Sequence, residues 1–262
     1  MGLPLPVRDF STHPTIDVAF TIITGVITVG VLTFSIRLGV HRRTWVPVLL
    51  FVGGFVGALV EPIACTLGLV QYPTFHNQIV ALEAFNHPIP LFVVLSYGIE
   101  LGIGALALWM LLEGGGGGRA VLQVWVAIIL IDTMLESPAI WLHVFRYYGH
   151  QPFDFWGFPL WWAPIDAAIG LAPALAAYLA PPASHRPRNA AYLLLLFPIS
   201  GAVVYAGAGW PVFVLMNTEL PAVVTWLGGI VSTFTIVTYV FALSKTAFRA
   251  SYLREIFVTG SP

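Results

Sequence analysis

The sequence predicts an all-α membrane protein of seven transmembrane helices, one domain over residues 1–262, and three observations carry that expectation. Of its 262 residues 58% are hydrophobic and only 9% charged, too little polar surface to cover a soluble globule of this length. Apolar stretches of the ~20 residues that span a ~30 Å hydrocarbon core recur seven times. They lie at 16–38, 46–70, 89–112, 121–145, 159–180, 190–208 and 220–244. Finally, the basic residues are segregated. In a seven-span arrangement Arg37, Arg42, Arg43, Arg119, Arg186, Arg188, Lys245, Arg249 and Arg254 fall on one side, and Arg8 and Arg146 on the other. The positive-inside rule then puts the N-terminus outside and the C-terminus in the cytoplasm, as for a multi-pass protein of a bacterial cytoplasmic membrane or an equivalent endomembrane.

Ahead of the first span, "MGLPLPVRDFSTHPTID" lacks the basic flank, apolar centre and small-residue cleavage site of a signal peptide, so that span is expected to be retained. The second span places Glu61 within "ALVEPIACTLGLVQYP" and follows it with Pro62. The third opens with "IPLF" at 89–92 and carries Glu100 in "GIELG", where Gly98 and Gly102 make a close-packing face from which Glu100 points away. The fourth contains "DTMLESPAIWLH", whose spacing sets Asp132, Glu136 and His143 on one helical stripe. The fifth opens with "FPLW" at 158–161, includes Trp161 and Trp162, and carries Asp166. The last two spans hold no acid, and Lys245 lies too shallow in "ALSKTAF" for a buried Schiff-base lysine.

The connections differ by side. Those on the basic side, "GVHRRTW", "EGGGGGRA" and "PPASHRPRNA", read as plain linkers. On the other side "QYPTFHNQIVALEAFNHP", "RYYGHQPFDFWGF" and "GWPVFVLMNTE" are dense in aromatics, which suits an interfacial belt or a lid over a cavity opening outward. A faint repeat runs through the first half. Glu61 and Glu136 each have a proline within two residues and a tyrosine, Tyr72 or Tyr147, eleven residues later, and each unit continues into a helix bearing a second acid, Glu100 or Asp166. A parallel duplication of a helix pair fits this pattern.

Helical rise places Glu61 and Glu136 about 22 Å into the ~30 Å core from the inner side, and Glu100 and Asp166 roughly 16 and 10 Å below the outer boundary. The acids thus converge on one layer. An ionised carboxylate in hydrocarbon costs at least ~2.5–3.5 kcal/mol, and neighbouring carboxylates cannot both ionise cheaply, so at least one should stay protonated, as a general acid requires. The carbonyls that the prolines free, Ala58 opposite Pro62 and Met134 opposite Pro138, are expected to accept from such carboxyls. Tyr72, Tyr147, Trp156, Trp161, Trp162 and His143 would lie beside the layer, where aromatic faces stabilise cations. The bland alternative is that the acids only join helices by hydrogen bonds and the aromatics only line the membrane interface.

Other chemistries are poorly represented. The single cysteine, Cys65, excludes an internal disulfide and Cys-rich metal motifs. His87, His143 and His150 form no close ligand spacing, and no phosphate-binding glycine loop opens a helix, so no metal or cofactor is expected. A net charge of −1 suggests no nucleic-acid partner, and the oligomeric state is left open.

Seven spans, a Glu in span two before an outer loop, and further membrane acids together resemble the small integral-membrane terpene cyclases of meroterpenoid pathways. The second unit, with Glu136, Tyr147, Tyr148 and "GFPLWWAPID", more weakly resembles the heterodimer-type membrane carotenoid (lycopene) cyclases. The resemblance implies protonation of an isoprenoid alkene or epoxide without a metal, with Glu61, Glu136, Asp132, Glu100 and Asp166 as candidate acids. There are departures: the last span lacks the acid of the fungal cyclases, and Trp161 and Trp162 stand where the carotenoid enzymes have acids. The rival reading is a proton-coupled transporter or lipid-binding protein using the same carboxylates. Polar groups stop midway through the spans, which favours a one-sided pocket over a path open to both sides.

Overall fold

The computed structural model describes residue 10 and residues 12–75, 78–181 and 190–259, with side chains to residue 254; Arg8, Arg186 and Arg188 lie outside the described residues. Seven helices are long and apolar enough to cross a membrane: α1 (Pro14–Arg42), α2 (Val46–Gly68), α3 (Leu91–Glu113), α4 (Gly117–Trp141), α5 (Trp162–Leu179), α6 (Tyr192–Met216) and α7 (Ala222–Arg254). Pro14 opens α1, where a missing N–H costs nothing, and Arg43 closes it in the left-handed conformation with φ 53°.

Four of these helices are interrupted, α5 by a turn at 167–170 directly after Asp166, and the interruptions position side chains. In α2 a 3₁₀ turn at Ala58–Val60 hands over to a new α segment, Glu61–Gly68, with Pro62 in its first turn. Both α3 and α6 contain a π-helical turn, at Gly98–Gly102 and Tyr205–Gly209. The second turn lets the chain pass Pro211 and continue helical to Met216, so "GWPVFVLM" extends a span instead of forming the expected loop. Conversely, α4 stops at Trp141, earlier than expected. The N–H groups of Leu142 and His143 bond back to the carbonyls of Pro138 and Ile140, and His143 turns to φ 58°. This takes His143 off the Asp132–Glu136 stripe.

Among the described residues six short strands form three antiparallel pairs in the connections at one end of the bundle. These are β1 (Val70–Gln71) with β4 (Arg146–Tyr147), β2 (Val80–Ala84) with β3 (His87–Pro90), and β5 (Asp154–Phe155) with β6 (Phe158–Pro159). In the first pair Val70 stands opposite Tyr147 and Gln71 opposite Arg146, whose guanidinium also donates to the Gln71 side-chain oxygen at 2.8 and 3.2 Å. At the opposite end Arg254 pairs with Glu113 at 3.1 Å and Arg42 lies 5.3 Å over the Trp109 ring.

Helix α5 is the most enclosed, packed by α3, α4, α6 and α7, whereas α1 is peripheral and rests on α2 and α3. Glycines allow the tightest crossing. A Cβ on Gly54 of α2 would come within 2.9 Å of the Gly98 Cα and 2.8 Å of the Gly102 amide nitrogen on α3.

Candidate functional site

The break in α2 aims Glu61 inward, and three donors meet its carboxyl. The Tyr72 and Cys65 side chains donate to Oε1 at 2.6 and 3.3 Å, and the Tyr97 hydroxyl to Oε2 at 2.5 Å. The Ala58 carbonyl, expected to receive a carboxyl proton, instead takes the backbone N–H of Glu61. The proline thus serves to restart the helix at the residue that must face inward. From Tyr97 the contacts continue through the Tyr205 hydroxyl at 3.3 Å, which donates to Asp166 Oδ1 at 2.9 Å.

Helix α4 supplies the second cluster. Glu136 Oε2 accepts from the Tyr147 hydroxyl at 2.8 Å. One turn earlier Asp132, 3% exposed, has a buried Oδ2 without a hydrogen-bond partner, and the π-helical turn of α3 presents Glu100 with a buried, unpartnered Oε1. The two glutamates are built alike. Each accepts from a tyrosine eleven residues further on, and the strands carrying those tyrosines, β1 and β4, pair with each other. Tyr72 and Tyr147 lie outside the helices. Burial first, then the neighbouring Glu61 or Glu136 carboxyl, pushes each phenol well above its ordinary range, so both remain protonated donors.

All five acids line one cavity of about 530 Å³. Tyr72, Phe145, Tyr147 and Trp162 close its upper wall, and its lower part, between α3 and α4, is aliphatic, with Ile103, Ala107, Val124 and Ile128. No Lys, Arg or His lines it among the described residues. Three other residues expected near the acids stand elsewhere. His143 is exposed with its ring against Phe10, and Trp156 is 67% exposed at the β5–β6 turn, stacked on Phe155. Trp161 is buried behind the cavity against Trp162 and Phe213. Tyr97, Tyr205 and Cys65 were not anticipated. A search for hydroxyls at the depth of the acids would have found Tyr97, three residues before Glu100, but nothing local marks Tyr205.

No family model, curated protein or solved structure matches the chain. The chemistry is read from its own residues.

Proposed function

We propose that this protein is an integral-membrane isoprenoid cyclase that starts carbocation cyclisation with a proton from an intramembrane carboxylic acid, as in the terpene cyclases it resembles. The observation that carries the reading is the convergence of Glu61, Glu100, Asp132, Glu136 and Asp166 on one apolar cavity with no base among its described lining residues. Five carboxyls cannot all be ionised in such a place, so protons are available to give. A volume near 530 Å³ falls within the ~300–1,000 Å³ of typical small-molecule sites.

Asp132 and Glu100 are the best-placed donors, because each has a carboxyl oxygen without a protein partner while both Glu61 oxygens already accept from phenols, and of the two Asp132 has Glu136 one turn away to share a proton with. The Asp132 proton adds to one alkene carbon, the π pair forming the new C–H bond, or to an epoxide oxygen through its lone pair, the C–O bond then breaking onto oxygen, and a second π bond closes the ring onto the cation. Tyr72, Tyr147 and Trp162 supply faces that favour the cation. Loss of a proton to a carboxylate of the cluster restores the acid, so the net change is an isomerisation and no co-reactant is consumed.

In this reading the end bearing β1 and β4 faces outside, because Arg42, Arg43, Arg119, Lys245, Arg249 and Arg254 belong to the other end. It also includes an ancestral duplication. The equivalent pairs Glu61–Tyr72 and Glu136–Tyr147 flank a β1–β4 register centred on Gln71 opposite Arg146, themselves equivalent positions, as a local two-fold demands.

One observation favours a second reading, a proton-coupled carrier: the Glu61–Tyr97–Tyr205–Asp166 chain has the form of a relay. Mass spectrometry of lipid extracts from cells with and without the gene separates the two. A cyclised isoprenoid isobaric with its precursor, reproduced by the purified protein, supports the cyclase. A ligand moved by a pH gradient and recovered unchanged supports the carrier and overturns the cyclase.

A further inference from the structure

The cavity is roofed where an outward-opening pocket would be open. Above the acids, β1 and β4 pair across it, Arg146 is held to Gln71, and Tyr72, Phe145 and Tyr147 project beneath. The roof continues to the start of α1, where the Thr12 hydroxyl donates to the Leu142 carbonyl at 3.3 Å and the Arg146 guanidinium lies 4.4 Å from the Phe10 ring. Below that tie, α1 packs on α2 and α3, α4 packs on α3, α5 and α7, and the two make at most sparse contact with each other. Residues on both sides of the gap belong to the cavity wall and to the outer surface at once. Ile23 of α1 is 57% exposed and Leu135 of α4 is 62% exposed, and Ile27 and Ile131 continue the same two edges.

Inside this mouth the polarity is graded. The carboxyls and phenols occupy the roofed end, while the far end lies between aliphatic residues of α3 and α4. An apolar groove of about 210 Å³, lined by Val31, Phe34, Leu106 and Met110, shares Ile103 and Ala107 with the cavity and prolongs it. Asp132 lines the roofed part of the cavity, and its Oδ2 is buried without a hydrogen-bond partner. A phosphate or diphosphate in that place would meet carboxyls and, among the described residues, neither a basic side chain nor a group of three or more ligands placed to hold a metal, an arrangement that repels it.

We infer that the cavity takes an uncharged, chain-bearing lipid sideways from the bilayer between α1 and α4, with its alkene, epoxide or hydroxyl end placed under the β1–β4 roof beside Asp132 and its tail running along α3 and α4. The inference rests on reading the acid-lined cavity as a ligand pocket, and it assigns a portal and a substrate class to it. On this inference an isoprenoid diphosphate is not the ligand, so the reaction that supplies this site must already have removed or replaced the diphosphate.

The probe is a diazirine-bearing C15 isoprenoid alcohol, used with the full chain in lipid nanodiscs and read by mass spectrometry of the photo-labelled residues. Labelling is expected on the mouth residues Ile23, Ile27 and Leu135 and on the inner residues Tyr147 and Trp162. An excess of unlabelled farnesol should reduce inner labelling at least 5-fold, while farnesyl diphosphate at the same concentration should leave it within 2-fold. Ile27→Trp combined with Leu135→Trp, which fills the mouth from lipid-facing positions, should lower inner labelling at least 5-fold. Labelling confined to the outward face of Gln71 and Arg146, or equal competition by the diphosphate, overturns the inference, and both arms use the unmodified protein. Unchanged inner labelling in a folded double variant overturns the portal. Specific labelling without any cyclised product leaves the portal standing and removes the cyclase. Product formation by a double variant at the unmodified rate does the reverse.

Discussion

Asp132 and Glu61 are both buried carboxyls, yet their oxygens keep different company, and the difference assigns them different work. Glu61 accepts from two phenols and a thiol, whereas Asp132, on the wall of the same cavity, has a buried Oδ2 with no partner. Asp132→Asn keeps the shape but removes the acidic proton, so turnover should fall roughly 10²-fold or more, the scale of lost general acid catalysis, with the fold intact. Glu61→Gln turns an oxygen that accepts into an amide nitrogen that donates, opposite phenols that also donate. It should cost about 1–3 kcal/mol of stability, seen as a lowered unfolding temperature in detergent, with a smaller effect on turnover per folded molecule. The opposite ranking of the two variants transfers the donor role to Glu61. If every amide variant loses stability while product per folded molecule is kept, the carboxyls serve packing alone. The raised phenols of Tyr72 and Tyr147 set a further expectation. In the unfolded chain they ionise above pH 10.0 while the folded protein keeps them neutral, so their stabilisation is complete below that pH and is lost as pH rises beyond it. Tyr72→Phe with Tyr147→Phe should flatten the alkaline fall of the unfolding temperature.

At the scale of elements, irregular turns do the positioning. The 3₁₀ turn before Glu61 and the π-helical turn around Glu100 each rotate one acid relative to an unbroken helix, and the crossing of α2 and α3 holds the two turns together. Glycine makes that crossing possible. A Cβ on Gly102 would meet the Phe51 carbonyl oxygen at 2.7 Å, and backbone cannot yield as a side-chain tip can. Gly54→Ala or Gly102→Ala should therefore destabilise by about 1–3 kcal/mol in thermal unfolding followed by tryptophan fluorescence. Gly25→Ala, with nothing within 4 Å of its added Cβ, should be neutral or slightly stabilising, since alanine suits a helix interior better. Equal losses at all three positions would mean that the crossing is not the reason.

For the whole molecule, the segregation of bases sets an orientation that labelling can test. Cys65 is fully buried and should stay silent, so the protein already provides a clean background. A maleimide that cannot cross membranes should reach His150→Cys in intact cells and His41→Cys only after permeabilisation, both positions being exposed at opposite ends of the bundle. Reversed accessibility would place the acids in the inner half of the bilayer and leave the portal facing the inner leaflet. Turnover by the purified protein should also survive chelator treatment. Loss on chelation with recovery on adding magnesium would instead indicate a diphosphate substrate, against both the acid mechanism and the uncharged ligand.

The sequence by itself determined the class of this protein, because the cost of exposing backbone and charge to hydrocarbon acts on any stretch of about 20 residues whatever its neighbours do. For the same reason it singled out Glu61, Glu100, Asp132, Glu136 and Asp166, since a carboxyl is conspicuous in an apolar run, and these five do share a cavity. It also marked Tyr72 and Tyr147, through their equal spacing from Glu61 and Glu136. Helical periodicity misled at His143, because one left-handed residue ends α4 and turns the chain, and that conformation leaves no periodic trace. Trp156 and Trp161 drew notice as aromatics near the acids, but only strand pairing and packing decided that one is exposed and the other lies behind the cavity wall. The hydroxyl contact between Tyr97 and Tyr205 joins residues 108 positions apart, beyond the reach of any local pattern. The inferred lateral mouth depends on which helices pack closely and which only sparsely. That is a property of seven packed helices together, and only the tertiary structure decided it.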